Sequence, residues 1–257
     1  MFTTEKVINS KDQWPKTLWH FVDKENKDCA NTQFKTLQNI FDDKSLDSKN
    51  CYRGIKLLLS NDDYWNPNNL QITARYACLT SLPDETKDYH VNEYGYLAIG
   101  LNKDKLVKHC FDKNYILNPI FYTLIHNNPN LSTIDKIHKL QDSVVSSLNN
   151  EQGHSKDLKR LIWNNILLTK LIKHEGDYKY FLEQEWRIVD ELPEDRQCEE
   201  FLPNNKTTAF FCFIPYECLA GIYIQPSNKE KLEELLTRIE TEKNIKFDVE
   251  IKYFTTK

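Results

Sequence analysis

Two glutamates one residue apart, Glu183 and Glu185, stand in an alternating stretch, YKYFLEQEWRIVDEL, over residues 178–192. On an extended strand the side-chain period is two, so both carboxylates project from one face. Upstream, His20 closes on the end of a short apolar strand, TLWHFV, and Tyr94 and Tyr96 flank Gly95 in the apolar run YGYLAIGL. A carboxylate, a histidine and an aromatic ring suit one kind of chemistry, cleavage of NAD at its nicotinamide bond. That reaction passes through a ribosyl oxocarbenium ion, as glycoside cleavage does. In such a site Glu185 stabilises the developing positive charge and orients the acceptor. His20 holds the riboses, and Tyr94 or Tyr96 stacks on nicotinamide. Arg187 positions Glu185 or binds the pyrophosphate.

Each of these residues also has a structural reading. His20 serves equally as a strand-end histidine with its ring nitrogens satisfied, and the two tyrosines as packing residues of a strand. Glu185 lies between Phe181 and the run Trp186-Arg187-Ile188-Val189, where an unpaired carboxylate is costly. The competing reading is therefore an ion pair on one strand face, Glu185–Arg187 or Glu183–Arg187. A second set of candidates lies upstream, with Arg75 before Leu79-Thr80-Ser81.

Most familiar enzyme classes lose their motif. No GxGxxG or GxxxxGK[ST] phosphate loop, no HExxH and no GxSxG elbow occurs in the 257 residues. The seven histidines lack metal-ligand spacing, so no metal is expected. The seven cysteines are odd in number and form no CxxC, and several sit in strand-like apolar runs as small hydrophobes. The net charge of −4 gives no general argument for nucleic-acid binding. The strip Lys156, Lys159, Arg160, Lys170 and Lys173 reads as the solvated face of a helix. The N-terminus lacks an apolar h-region and no run approaches the ~20 apolar residues of a membrane span, so a cytoplasmic protein without membrane contact is expected.

The elements that must position these residues follow from periodicity. Residues 17–22 read as a strand, and Phe34, Leu37, Ile40 and Phe41 give a helix over roughly 33–44 that turns into a second extended piece. Residues 72–80, 94–101 and 118–125 read as strands, with Pro119 at the start of the last. Asn102 takes an N-cap-like position before the helix KDKLVKHCF. Residues 131–149 and 155–174 read as two helices, the second closed by Gly176. Strands return at 178–192, TTAFFCFI and AGIYIQ, then a charged helix KEKLEELLTRIETEK and a last strand FDVEIKYF. With no repeat or linker, residues 1–257 are expected to form one α+β domain. Mixed and antiparallel strands would lie at both ends of the chain around a helical middle, with a strand-helix-strand over 207–255 completing it.

Four segments carry a resemblance to a known family. They are Leu18-Trp19-His20-Phe21; Cys78-Leu79-Thr80-Ser81-Leu82-Pro83 followed by His90 and Tyr94 through Lys103; Asn118 through Tyr122; and Glu183 through Arg187. In this order, over residues 17–190, the chain resembles the AbiGi-type abortive-infection family of phage defence. It departs from that pattern at Leu97 and at the Pro83 turn, which lacks the acidic residue expected just before it. The order His20, Tyr94 or Tyr96, Glu185 is similar to the H-Y-E arrangement of one branch of ADP-ribosyltransferases. Thr80-Ser81 with Glu183 and Glu185, and Arg75 in place of the arginine, is similar to the other branch. These resemblances imply a transferase-like core that binds NAD through His20, Arg75, Thr80, Ser81, Tyr94, Tyr96 and Arg187. They imply a toxic effector moving ADP-ribose to a nucleic-acid or protein acceptor. The alternatives they leave open are an antitoxin or regulatory partner of a co-encoded protein that keeps the fold without the activity, and an NAD hydrolase or nuclease.

Overall fold

The computed structural model describes residues 16–22, 30–41, 54–65, 71–81, 87–113, 115–124, 169–172, 184–190, 199–201 and 208–254, some of them, Arg75 included, by backbone alone. Among them the strands are β1 (Thr17–Phe21), β2 (Ile55–Trp65), β3 (Gln71–Thr80), β4 (Ala98–Asn102), β5 (Tyr115–Pro119) and β6 (Phe121–Leu124). They continue with β7 (Thr169–Ile172), β8 (Glu185–Asp190), β9 (Glu199–Phe201), β10 (Thr208–Ile214), β11 (Leu219–Ile224) and β12 (Glu250–Tyr253). The α-helices are α1 (Ala30–Phe41), α2 (Lys87–Tyr94), α3 (Lys103–Asp112) and α4 (Lys229–Lys243). The class is α+β. Two compact units emerge, one formed by Met1–Ile55, Val91–His109 and Ile214–Lys257, the other by Lys56–His90 and Cys110–Phe213.

In the first unit β1 pairs antiparallel with β4, β4 antiparallel with β11, and β11 parallel with β12. Parallel neighbours need a crossover connection, and α4 supplies it. Leu232, Leu235, Leu236 and Ile239 recur at helical spacing and are all buried. Asn244 ends the helix in the left-handed region (φ 50°), its N–H returning to the Glu240 carbonyl. Phe34, Leu37, Ile40 and Phe41 bury the expected face of α1. Tyr216 donates its hydroxyl to the Phe41 carbonyl at 2.6 Å, closing the end of that helix. Trp19, Gly100 and Gly221 stand in one cross-strand row. The indole occupies the space that side chains on the two glycines would fill, since a Cβ on either would lie 2.7 Å from its ring. Tyr223 packs against the same indole at a centroid distance of 4.7 Å.

In the second unit β3 pairs antiparallel with β2 over Gln71–Tyr76 and with β8 over Tyr76–Thr80. The other edge of β8 takes β5, also antiparallel. β6 and β7 make a parallel pair, and β9 and β10 an antiparallel one. No described helix is long and apolar enough to cross a membrane.

Several expected elements change on folding. The strand expected over 94–101 begins only at Ala98: Tyr94 closes α2, Gly95 takes φ 94° with its N–H on the Val91 carbonyl at 2.8 Å, and Tyr96 lies in a bend. Neither tyrosine is a strand residue, because a glycine free to adopt positive φ ends a helix where apolar periodicity alone reads a strand. The strand expected over 118–125 is two strands broken at Ile120, whose N–H donates to the Glu185 carbonyl at 2.8 Å. Pro119 therefore ends β5 instead of starting a strand. Residues 169–172, placed in a helix by periodicity, form β7, as short apolar runs fit either structure. With β5 to β8 in the middle of the chain, the strands are not confined to its ends. The helices expected at 131–149 and 155–168 lie outside the described residues, as does the start of the strand expected at 178.

Candidate functional site

The sheet face shared by β3 and β8 is built by simple alternation. In their antiparallel register Thr80 stands opposite Glu185, Cys78 opposite Arg187 and Tyr76 opposite Val189. Directly opposed residues project to the same side, and β5 adds Asn118 beside Arg187. One face thus carries Tyr76, Cys78, Thr80, Glu185, Arg187, Val189 and Asn118, of which Cys78 and Asn118 are exposed. The other carries Ala77, Leu79, Trp186 and Ile188, all buried. An apolar face is the ordinary product of folding; a face that buries Thr80, Glu185 and Arg187 is not.

Glu185 and Arg187, two residues apart on β8, are only 7 % and 8 % exposed. Arg187 Nε donates to Glu185 Oε1 at 2.7 Å, and the Cys78 thiol donates to the same oxygen at 3.1 Å. The guanidinium also lies over the Tyr76 ring, 4.4 Å from its centroid. Burial alone would lower the guanidinium pKa, but Glu185, then Cys78 and Tyr76, outweigh it and hold Arg187 above the ordinary arginine range. Of the two ion pairs weighed from sequence, Glu185–Arg187 is formed; Glu183 lies outside the described residues. A pair taken out of water needs this geometry to offset its desolvation.

Beside the pair, Thr80 Oγ1 and His90 Nε2 are 3.3 Å apart, and both side chains are buried. His90 arrives on α2, with its ring set edge-on to Tyr89. At the end of the strands Ser81 donates its hydroxyl to the Gln184 side-chain oxygen. Gln184 is in the left-handed region (φ 41°), a conformation that costs a non-glycine residue energy and turns the chain sharply into Glu185.

The candidates read from sequence fall into two groups. Thr80, Ser81, Glu185 and Arg187 are brought together in the second unit, and Arg75 stands on the same strand opposite Asn61. His20, Tyr94 and Tyr96 belong to the first unit. There His20 pairs across β1 with Ile99, Tyr94 packs on Phe21 at 5.8 Å and Tyr96 meets Phe254 edge-on at 5.8 Å. Sequence reasoning missed Cys78 and His90 as members of the polar face. The alternation Tyr76, Cys78, Thr80 was the signal for the first. The second needed the tertiary position of α2. Cys110, Cys212 and Cys218 are buried, and burial, reinforced by Glu217 against Lys105, pushes the Cys218 thiol up to about 11. It stays protonated near neutral pH, as a small hydrophobe does.

Chemically, this face holds a carboxylate oxygen under two donors and sets a hydroxyl against an imidazole. It can fix side chains rigidly or present them to a polar ligand at the Ser81–Gln184 rim. A family model described as "Putative abortive phage resistance protein AbiGi, antitoxin" matches residues 61–210, more than half of the chain. The match takes in the whole polar face but not His20. No curated protein and no solved structure matches the chain.

Proposed function

Because the chain belongs to the AbiGi family, with its role in abortive phage resistance, we propose that it is the antitoxin of a phage-defence pair, a binding protein that restrains a co-encoded toxic partner. The observation that carries this reading is the match over 61–210 to a family described as an antitoxin. The geometry of Glu185 supports it. An oxygen of the one described carboxylate on the polar face is already engaged by Arg187 and Cys78, as befits a buried brace for a binding scaffold. A carboxylate that must stabilise a ribosyl cation keeps its charge for the substrate.

A second reading, ADP-ribosyl transfer from NAD on a transferase-like core, draws on one specific observation. Thr80 and Glu185 face each other with Ser81 and Gln184 at the rim, an arrangement able to meet ribose hydroxyls. Under that reading Glu185 acts on the developing cation, and NAD is a substrate.

Expression separates the two. Wild type and Glu185→Gln would be induced alone and beside the adjacent gene, with growth followed and RNA, DNA and protein probed for ADP-ribose. The antitoxin reading expects harmless expression alone, rescue of cells from the neighbour's product, and no label. Toxicity on its own, with ADP-ribose on any acceptor and both lost in a folded Glu185→Gln, would overturn it in favour of the transferase.

A further inference from the structure

Strand β12 ends the sheet of the first unit. Its inner side pairs with β11, and among the described residues no strand lies on its outer side. Such an edge presents backbone N–H and C=O groups ready to pair with another extended chain. Proline, a bulge or charged side chains keep many edges apart. The stretch Val249-Glu250-Ile251-Lys252-Tyr253 has no proline, and its two charges are of opposite sign. Glu250 and Lys252 meet on one face at 3.1 Å, their side chains 66 % and 35 % exposed. Lys252 Nζ also stands 5.7 Å and 5.6 Å from the centroids of the Trp19 and Tyr223 rings.

We propose that the outer edge of β12 pairs antiparallel with β12 of a second copy of this chain, with Ile251 on the two-fold axis. The strand is complementary to its own reverse. An axis normal to the sheet keeps like faces together, so opposed residues stand equally far on either side of the central one. With Ile251 at the centre, Glu250 of each copy meets Lys252 of the other, Val249 meets Tyr253, and Ile251 meets itself. Opposite-charge and aromatic–β-branched pairs are combinations that stabilise neighbouring strands. Centring on Glu250 or Lys252 sets a like pair on the axis, and centring on Tyr253 matches no opposite charges. Charge complementarity thus selects both the occupant and the register. The seam is one short strand wide, so the dimer is weak, with a Kd on the order of 100 µM. Self-pairing of this edge does not depend on the antitoxin reading.

Sedimentation velocity on the full chain, from about 10 µM to about 1 mM, reads the expected monomer–dimer equilibrium. Lys252→Glu leaves two glutamates on the edge, and Glu250→Lys leaves two lysines. Each variant alone is expected to dimerise about 10-fold more weakly than the wild type, since like charges then stand opposite each other. Mixed in equal amounts, the two are expected to form a heterodimer near wild-type strength, because every glutamate again faces a lysine. Thermal melts of each variant confirm that both are folded before they are mixed. A wild type that is monomeric throughout this range would overturn the self-pairing. Variants that dimerise as the wild type does, or a mixture of folded variants no stronger than its components, would overturn it as well. A monomeric wild type whose edge variants lose the product of the adjacent gene would give the edge to that partner instead.

Discussion

Arg187→Ala is expected to destabilise the protein by about 3–5 kcal/mol, the cost of leaving one member of a buried ion pair without the other. The expectation follows from the arrangement on β8, where Glu185 and Arg187 are each less than a tenth exposed and meet at 2.7 Å. Removing the guanidinium strips Glu185 of its charged donor and Tyr76 of the cation over its ring. The Cys78 thiol that remains is a weak donor. Glu185→Leu/Arg187→Met should be less damaging than Arg187→Ala alone. Replacing a buried pair by apolar groups of similar volume is often neutral, and it leaves no buried charge behind. Denaturant midpoints of the wild type, the single and the double variant decide the matter. If Arg187→Ala unfolds at the wild-type midpoint, the pair is solvated in solution and the brace does not exist. The same series bears on function: an antitoxin should lose its hold on the partner in proportion to lost stability, and the double variant should recover both.

The second large effect sits in the other unit. Trp19→Ala is expected to cost about 3–5 kcal/mol, the range for removing a large buried aromatic side chain. The indole fills a trough over Gly100 and Gly221, and the two glycines bring no side chain to refill it. Gly100→Ala should cost about 1–3 kcal/mol by overpacking, since its Cβ would lie 2.7–2.9 Å from the indole and 2.9 Å from the Thr17 methyl. The two changes should not add. Once the indole is gone, its two close contacts with the alanine methyl go and the one with Thr17 stays, and residues in contact couple by about 0.5–3 kcal/mol in typical cycles. Strict additivity in urea unfolding would show that the ring does not rest on the glycine.

These two sites also show where the sequence was readable and where it was not. Trp19 and the Gly100 row were within reach as strands, because β1, β4 and β11 have apolar runs of strand length. The helix α4 emerged with its limits, Lys229–Lys243, because four leucine and isoleucine residues repeat at its period. The Glu185–Arg187 pair was legible as well, since residues two apart on a strand share a face. What periodicity could not give was the break at Gly95, which depends on a backbone conformation rather than on hydrophobicity. That error moved Tyr94 and Tyr96 off the strand on which the NAD reading placed them. His90 was visible as a residue but not as a neighbour of Thr80, because a helix brings it there from ten positions away. The strand at 169–172 was misread because four apolar-rich residues carry too little pattern to separate a helix from a strand.

The parallel pairing of β11 with β12 through α4 has a further meaning for how the first unit is made. These three elements are consecutive, so bringing them together closes only short loops, and the entropy of closure grows with loop length. β1 must instead find β4 across roughly eighty intervening residues, a slow, non-local search of the kind that limits folding rate. The βαβ segment can therefore stand first, offer the free edge of β11 to β4, and leave β1 to dock last. The sheet then grows from its latest-synthesised strands back toward its earliest, and pulse-labelled amides in β11 and α4 should gain protection before those in β1. The N-terminal strand, with Trp19 as its anchor, would be the closing stave rather than the foundation.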